Sequence, residues 1–313
     1  MDYRARKENE LKKAVLPQTM KPDFEEFWTK QVTLLREVPL QVTREKVELP
    51  FEKSFLTWKI CFNTHDRTVV EGWFSCPAGR GEEKLPCVVL FHGGGGKKEI
   101  FAEILATGVC CFAVDVRSQY GTTVDKAQYS SGDIMGSLMT CGVLDKNEFY
   151  MRNIYLDAVR AVDVAASLPE GDPERIVTFG GSQGGALSVV ASALSGRSRK
   201  CYSAVTSYCH LEKRVEDGTG IFAKTHDFLQ TYPEHTDTVM DNLTYFDILN
   251  MVSLLKVPAS FGLALADPIC LNPYVYSAYA HTPCEKEIEM YPFAPHNTPR
   301  GFWMKMYREW AAM

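Results

Sequence analysis

The run Gly180-Gly181-Ser182-Gln183-Gly184-Gly185 combines a hydroxyl nucleophile with glycines at G-x-S-x-G spacing. An apolar stretch, Ile176-Val177-Thr178-Phe179, precedes it, and the helical pattern Ala186-Leu187-Ser188-Val189-Val190 follows. Strand, G-x-S-x-G and helix together form a nucleophile elbow, in which the flanking glycines let the chain turn so sharply that the serine projects at the sheet edge. There the Ser182 hydroxyl can meet a base and a substrate carbonyl, beside a helix N-terminus that favours negative charge.

A serine hydroxyl is a weak nucleophile until a base takes its proton and a carboxylate orients that base. For an elbow serine the chain order is Ser, Asp/Glu, His. His210, His226, His235, His281 and His296 follow Ser182. His296 lies just past Glu287–Tyr291, a strand-like run, and is the expected base; His281 precedes that run, and His226 and His235 fall in a polar segment. Asp267 stands at the exit of the apolar run Ala259–Leu265, with Pro268 holding it out of the α region, and is the expected acid. Asp115, also at a strand end, precedes the serine and is the weaker candidate.

Acyl transfer also needs donors for the oxyanion. The backbone amide of Gln183 supplies one, and the glycine loop His92-Gly93-Gly94-Gly95-Gly96, of HGGG type, is placed to supply another. A phosphate-cradling reading of that loop fails, because a Walker A pattern needs Gly where Phe91 stands and Ser/Thr where Lys98 stands. No H-E-x-x-H occurs, His210-Leu211-Glu212 lacks partners at ligand spacing, and nothing asks for a metal or a cofactor.

The elements that must position these groups follow from periodicity. The first helix is expected near Asp23, which with Glu26 forms a capping-box pair, and Phe24, Phe27, Trp28, Val32 and Leu35 recur at helical spacing. Lys46–Leu49, Leu56–Phe62 and Val69–Ser75 have strand character, the alternation at Trp58, Ile60 and Phe62 fitting a half-buried antiparallel lead-in. Cys87–Phe91, Val109–Val114, Ile176–Phe179, Ala204–Ser207 and Ala259–Leu265 are short apolar runs of the kind buried on both faces. Between them Met151, Ile154, Tyr155, Ala158, Val162 and Ala165 form a helical stripe ending near Pro169. Strands alternating with helices predict an α/β fold with a mostly parallel sheet, in one domain over 1–313. Segments 117–148 and 213–250 interrupt the alternation as inserts, which in compact domains carry function or contacts.

A chain 45% hydrophobic and 23% charged can bury a full core, and a net charge of −5 with only short basic runs (Lys97-Lys98, Arg197–Lys200, read as solvated patches) argues against a nucleic-acid partner. The charged N-terminus leads into no apolar signal-peptide core, and no run is long enough to span a bilayer. Ten cysteines without a C-x-x-C pair then read as reduced thiols of a cytoplasmic protein.

With these residues assembled, the chain resembles the acetyl xylan esterase/cephalosporin-C deacetylase family, carbohydrate esterase family seven, from about Phe24 to the C-terminus. The resemblance rests on Gly180–Gly185, on the helix 152–168 with Asp157-Ala158-Val159-Arg160-Ala161-Val162, on Asp267-Pro268-Ile269-Cys270, on Cys141–Asp145 and on Tyr245-Phe246-Asp247. It implies an α/β-hydrolase that removes acetyl groups from short acetylated sugars and from the acetoxymethyl group of cephalosporins, inside the cell, as a doughnut-shaped hexamer. By position it implies Ser182 as nucleophile, Asp267 as acid, His296 as base and the Gln183 amide in the oxyanion hole. Three positions depart from the family. Its Arg-Gly-Gln reads Arg117-Ser118-Gln119, keeping Arg117 and Gln119; its His-Glu reads His296-Asn297; and the tyrosine whose amide is the second oxyanion donor is Gly94. A backbone donor survives that last change while the aromatic wall over the acyl group does not, which predicts a roomier acyl pocket. The alternatives that stay open are a peptidase of similar fold, because the elbow does not distinguish ester from amide, a broader acyl esterase of the same fold, and a silent binding or assembly protein.

Overall fold

A computed structural model of the chain describes residues 2–50, 53–131 and 135–313. Two helices lead in, α1 (Tyr3–Lys13) and α2 (Phe24–Glu37). Helix α1 begins well before the expected first helix. Leu11 is its sole buried residue, so it lacks the apolar stripe that reveals a helix in sequence, and Asp2 caps it by accepting from the Ala5 N–H at 2.8 Å. Helix α2 buries the apolar set expected of it. The capping box is not formed: the Asp23 carboxylate instead accepts from the Tyr245 hydroxyl and, at 3.1 Å, from Lys146 Nζ.

Nine strands make one sheet: β1 (Thr43–Val47), β2 (Phe55–Asn63), β3 (Val69–Pro77), β4 (Leu85–Phe91), β5 (Cys110–Val114), β6 (Gly171–Gly181), β7 (Ser198–Ala204), β8 (Ala259–Ala264) and β9 (Lys286–Tyr291), in the order β1-β2-β3-β5-β4-β6-β7-β8-β9. The pairs β1–β2, β2–β3 and β3–β5 are antiparallel, and every pair from β5–β4 to β8–β9 is parallel. Strand β7 ends where the expected run Ala204–Ser207 begins. Its first half is amphipathic, Arg199 pairing with Glu174 and Lys200 with Glu287 and Glu309, so the basic run 197–200 is largely sheet rather than a free solvated patch.

Two layers of helices cover the sheet, as parallel strands require. Alternation in β4 shows the division: Cys87, Val89 and Phe91 face one core, Val88 and Leu90 the other. The first core takes α2, α4 (Tyr150–Ala165, after the short α3, Ala102–Leu105) and α5 (Gln183–Ser195). Helix α4 is buried almost all round, and the polar tips of its tyrosines are satisfied: Tyr150 donates to the Arg117 carbonyl and Tyr155 to that of Phe246, each at 2.7 Å. The second core is closed by α3 and the C-terminal helix.

The 213–250 insert folds as α6 (Leu211–Glu216), α7 (Ala223–Thr231), α8 (Thr236–Leu243) and α9 (Ile248–Met251), anchored by buried Phe222, Phe228, Val239 and Phe246. Buried Asp247 closes it by accepting from the N–H groups of His210, Leu211 and Leu249. Helices α10 (Asn272–His281) and α11 (Arg300–Ala311) complete the chain, Phe302, Met306 and Trp310 of α11 filling the second core. Among the described residues no helix is long and apolar enough to cross a membrane, and no disulfide joins any of the ten cysteines.

Candidate active site

The parallel strands β4, β6, β8 and β9 end on one edge of the sheet, and the loops leaving them bring the chemical groups together. Strand β6 turns directly into α5 at Ser182, whose φ of 57° and ψ of −120° lie outside the regions an L-residue ordinarily occupies. The neighbours hold it there. A Cβ on Gly184 would lie 2.0 Å from the Phe91 carbonyl oxygen, and one on Gly180 2.3 Å from the Gly184 backbone, so the glycines are required by close approach of β4, β6 and α5. The Ser182 N–H bonds the Ala204 carbonyl at 3.0 Å and its carbonyl accepts from the Ser207 N–H at 3.1 Å, tying the turn to the end of β7.

His296, in the loop after β9, places Nε2 3.0 Å from Ser182 Oγ and Nδ1 2.8 Å from Asp267 Oδ2. Asp267, in the loop after β8, has a fully screened carboxylate whose Oδ1 accepts from the Ile269 and Cys270 N–H groups at 2.8 and 2.9 Å. The bond to Asp267, followed by contact with the Cys270 thiol, raises His296 from 6.5 to about 9. Asp267, Cys270 and His296 bring ligand atoms within 4.8 Å of one another, the one such cluster among the described residues that could hold a metal; the Nδ1 of His296 is engaged by Asp267, which orients the imidazole toward Ser182.

The glycine loop is fixed from below by His92. Its Nε2 accepts from the Val116 N–H at 2.9 Å, which leaves Nδ1 protonated to donate to the Gly93 carbonyl at 2.8 Å. The Gly96 N–H is used in a turn to Gly93, and the Gly95 N–H donates to Gln119 Oε1 at 2.9 Å. Gly94 is exposed beside the cavity, and a Cβ there would meet nothing within 4 Å. Gln183 opens α5, so its N–H has no partner within the helix. Its side chain is locked, Oε1 accepting from Gln119 Nε2 at 2.8 Å and from the Tyr208 hydroxyl at 2.7 Å. Gln119 thus ties the glycine loop to the elbow.

Arg117, two residues before Gln119, is wholly buried and bonds Asp157 (2.6 and 2.7 Å), Asp66 (2.6 Å) and Asp125 (2.9 Å). Burial drives Asp157 up to about 6 against the opposing charge of Arg117, whereas at Asp66 the guanidinium outweighs burial and holds the carboxyl well below its usual range. Asp115 is apart from this group and from Ser182: it accepts from Lys98 Nζ at 2.6 Å, the Lys98 N–H at 2.7 Å and the Thr122 N–H at 2.9 Å. Lys98 is therefore a buried ion-pair partner, not part of a solvated patch.

The expected residues Ser182, His296, Asp267, Gln183, Gly94 and Gln119 converge at this edge, with Arg117 supporting from beneath. Sequence reasoning did not single out Tyr208, Cys270 as a neighbour of the imidazole, or the aromatic residues Phe101 and Trp303 that line the cavity of about 440 Å³ beside Ser182. The Cys270 signal was present, three residues after Asp267; the other three carry none, because folding alone brings them to the serine.

A parallel α/β sheet with Ser, Asp and His presented in that chain order at its strand ends defines an α/β-hydrolase, here a carboxylester hydrolase. The chain belongs to the acetyl xylan esterase family, whose model matches residues 5–313. It is similar in structure to the acetyl xylan esterase from Paenibacillus sp. R4, with a TM-score of 0.91 and 31% identity over 97% of this chain and 98% of that one. It is similar in fold to acetyl xylan esterase 1 from Thermoanaerobacterium sp. JW/SL YS485, with a TM-score of 0.88 and 24% identity over 100% of this chain and 98% of that one. In sequence it is 24% identical over 319 residues to the acetyl esterase Axe7A of Xylanibacter ruminicola, covering 95% of this chain and 71% of the relative.

Proposed function

We propose that this chain is a serine deacetylase of small acetylated carbohydrates. The observation that carries the reading is the unbroken line Asp267–His296–Ser182, at 2.8 and 3.0 Å, at the mouth of a cavity. His296 Nε2 takes the proton of Ser182 as Oγ attacks the ester carbonyl, and Asp267 stabilises the imidazolium. The oxyanion is received by the N–H groups of Gln183 and Gly94. Collapse of the tetrahedral species breaks the carbonyl–alkoxy bond, and His296 returns its proton to the departing alcohol. Water then attacks the acetyl-enzyme, His296 taking its proton and giving it back to Ser182 Oγ as acetate leaves.

Within this reading the open space at Gly94 makes the acyl side roomier than an acetyl group needs, so a chain-length series should extend past acetyl; activity confined to acetyl esters contradicts that extension. We further propose a single domain over 1–313, assembled as a hexamer inside the cell and also accepting the acetoxymethyl group of cephalosporins. The family resemblance supports these points, and light scattering tests the assembly. The deciding assay is acetate release from acetylated xylose by the wild type beside Ser182→Ala. Rapid release that collapses in the variant supports the reading. Cleavage of aminoacyl amides in its place would favour a peptidase, and a Ser182 that no phosphonate labels would favour a silent binding protein.

A further inference from the structure

The cavity beside Ser182 extends past the reacting atoms. It is lined by the rings of Phe101, Phe179 and Trp303, which are buried or half-buried, and toward solvent by the exposed Lys97, Glu99 and Asn297. The indole of Trp303 is held in one plane. Phe179 meets it edge-on at 4.6 Å, Phe101 stacks at 6.5 Å with an interplanar angle of 25°, and Tyr307 lies at 5.5 Å. At about 440 Å³ the space is that of a small-molecule site.

Which half of an ester enters it follows from the chemistry. The imidazole that deprotonates Ser182 must next hand its proton to the leaving oxygen, so the alcohol departs on the His296 side. His296 itself, Asn297 and Thr298 wall this cavity. Lys97 and Glu99 bring opposite charges and Asn297 a neutral amide, so the mouth offers donors and acceptors without net charge. That combination of a fixed ring face and a neutral hydrogen-bonding rim suits a polyhydroxylated ring with apolar C–H faces.

Building on the proposed esterase chemistry, we propose that Trp303, backed by Phe101 and rimmed by Lys97, Glu99 and Asn297, forms the leaving-alcohol subsite and stacks the sugar ring of the ester. Asn297, where the family has a carboxylate, adds no charge to this rim next to His296. The enzyme then selects its esters mainly by their alcohol.

The test compares two acetate esters that differ only in alcohol, acetylated xylobiose and ethyl acetate. For Trp303→Ala, kcat/KM falls about tenfold further for the sugar ester than for ethyl acetate, carried by KM. Trp303→Phe, which retains a ring and safeguards the fold, restores most of the difference. Unacetylated xylobiose competes with ethyl acetate in the wild type and loses potency in Trp303→Ala. Equal losses on both esters, with no inhibition by xylobiose, would overturn the subsite. A wild type that cleaves ethyl acetate with no preference for the sugar ester would also overturn it while leaving the esterase reading intact. Should neither ester be cleaved, the esterase reading fails, and calorimetric binding of xylobiose, present in the wild type and lost in Trp303→Ala, decides the subsite alone.

Discussion

Arg117→Met removes a guanidinium that has no exposed surface and is bonded to carboxylates from three different segments, at Asp66, Asp125 and Asp157. Breaking a buried ion pair by deleting one partner costs about 3–5 kcal/mol, because the other charge is left without compensation. Here three acids are left, so the upper part of that range is expected, out of a total stability on the order of 5–15 kcal/mol. The pH dependence gives a second, sharper signature. Burial already raises Asp157 to about 6 in the presence of Arg117, and without the cation Asp157 and Asp66 both move upward. A folded state whose acids have raised pKa values binds more protons than the unfolded chain, so its stability rises as pH falls. In urea unfolding the variant should therefore lose about 4 kcal/mol at pH 7 and regain part of it near pH 5.5. A loss under about 1 kcal/mol, or one that deepens on acidification, would show that Arg117 does not compensate these buried carboxylates.

Five further outcomes follow from the site. Because Asp267 raises His296 to about 9, and the base acts when neutral, kcat/KM should climb through the alkaline range with a limb near 9 rather than 6.5; a stopped-pH profile checks this. The same shift means that the stabilisation from the His296 contact is full below 6.5 and is lost as pH rises through about 9. Asp267→Asn should lower kcat by on the order of 10⁴ and shift that limb downward, as steady-state kinetics across pH would record. Gly184→Ala would force a Cβ to 2.0 Å from the Phe91 carbonyl oxygen, separating β4 from the elbow; overpacking of about 1–3 kcal/mol in denaturant unfolding and a turnover loss on the order of 10² from misplaced reacting groups are expected. Gln119→Ala releases the Gly95 amide and the Gln183 side chain and should lower kcat more than it raises KM.

Much of the site is written locally. The elbow announces itself because a sharp strand-to-helix turn demands glycine at fixed offsets, Asp267 because it follows a short apolar strand, and His296 because it follows the strand-like run Glu287–Tyr291. The parallel strands were visible for a related reason, since burial on both faces leaves an unbroken apolar run, as in the fully buried β4. Helix α1 was hidden because a single buried leucine gives no stripe. The start of β7 was hidden because its basic residues find acidic partners on neighbouring elements. Lys98 looked solvated because its partner, Asp115, lies 17 positions away, and Arg117 gathers acids 51, 8 and 40 positions distant. Such pairings are products of tertiary folding. Asp23 shows the converse: a strong local capping signal yields when Tyr245 and Lys146 offer that carboxylate better partners.

Turnover through a covalent intermediate places the acyl group on Ser182 Oγ. Acid quenching during hydrolysis of an acetyl ester, followed by peptide mass spectrometry, reads this directly. The mass of one acetyl group is expected on the peptide containing Ser182, accumulating before steady state and missing in Ser182→Ala. Turnover at the wild-type rate with that peptide unmodified, or with the label on another residue, would contradict it.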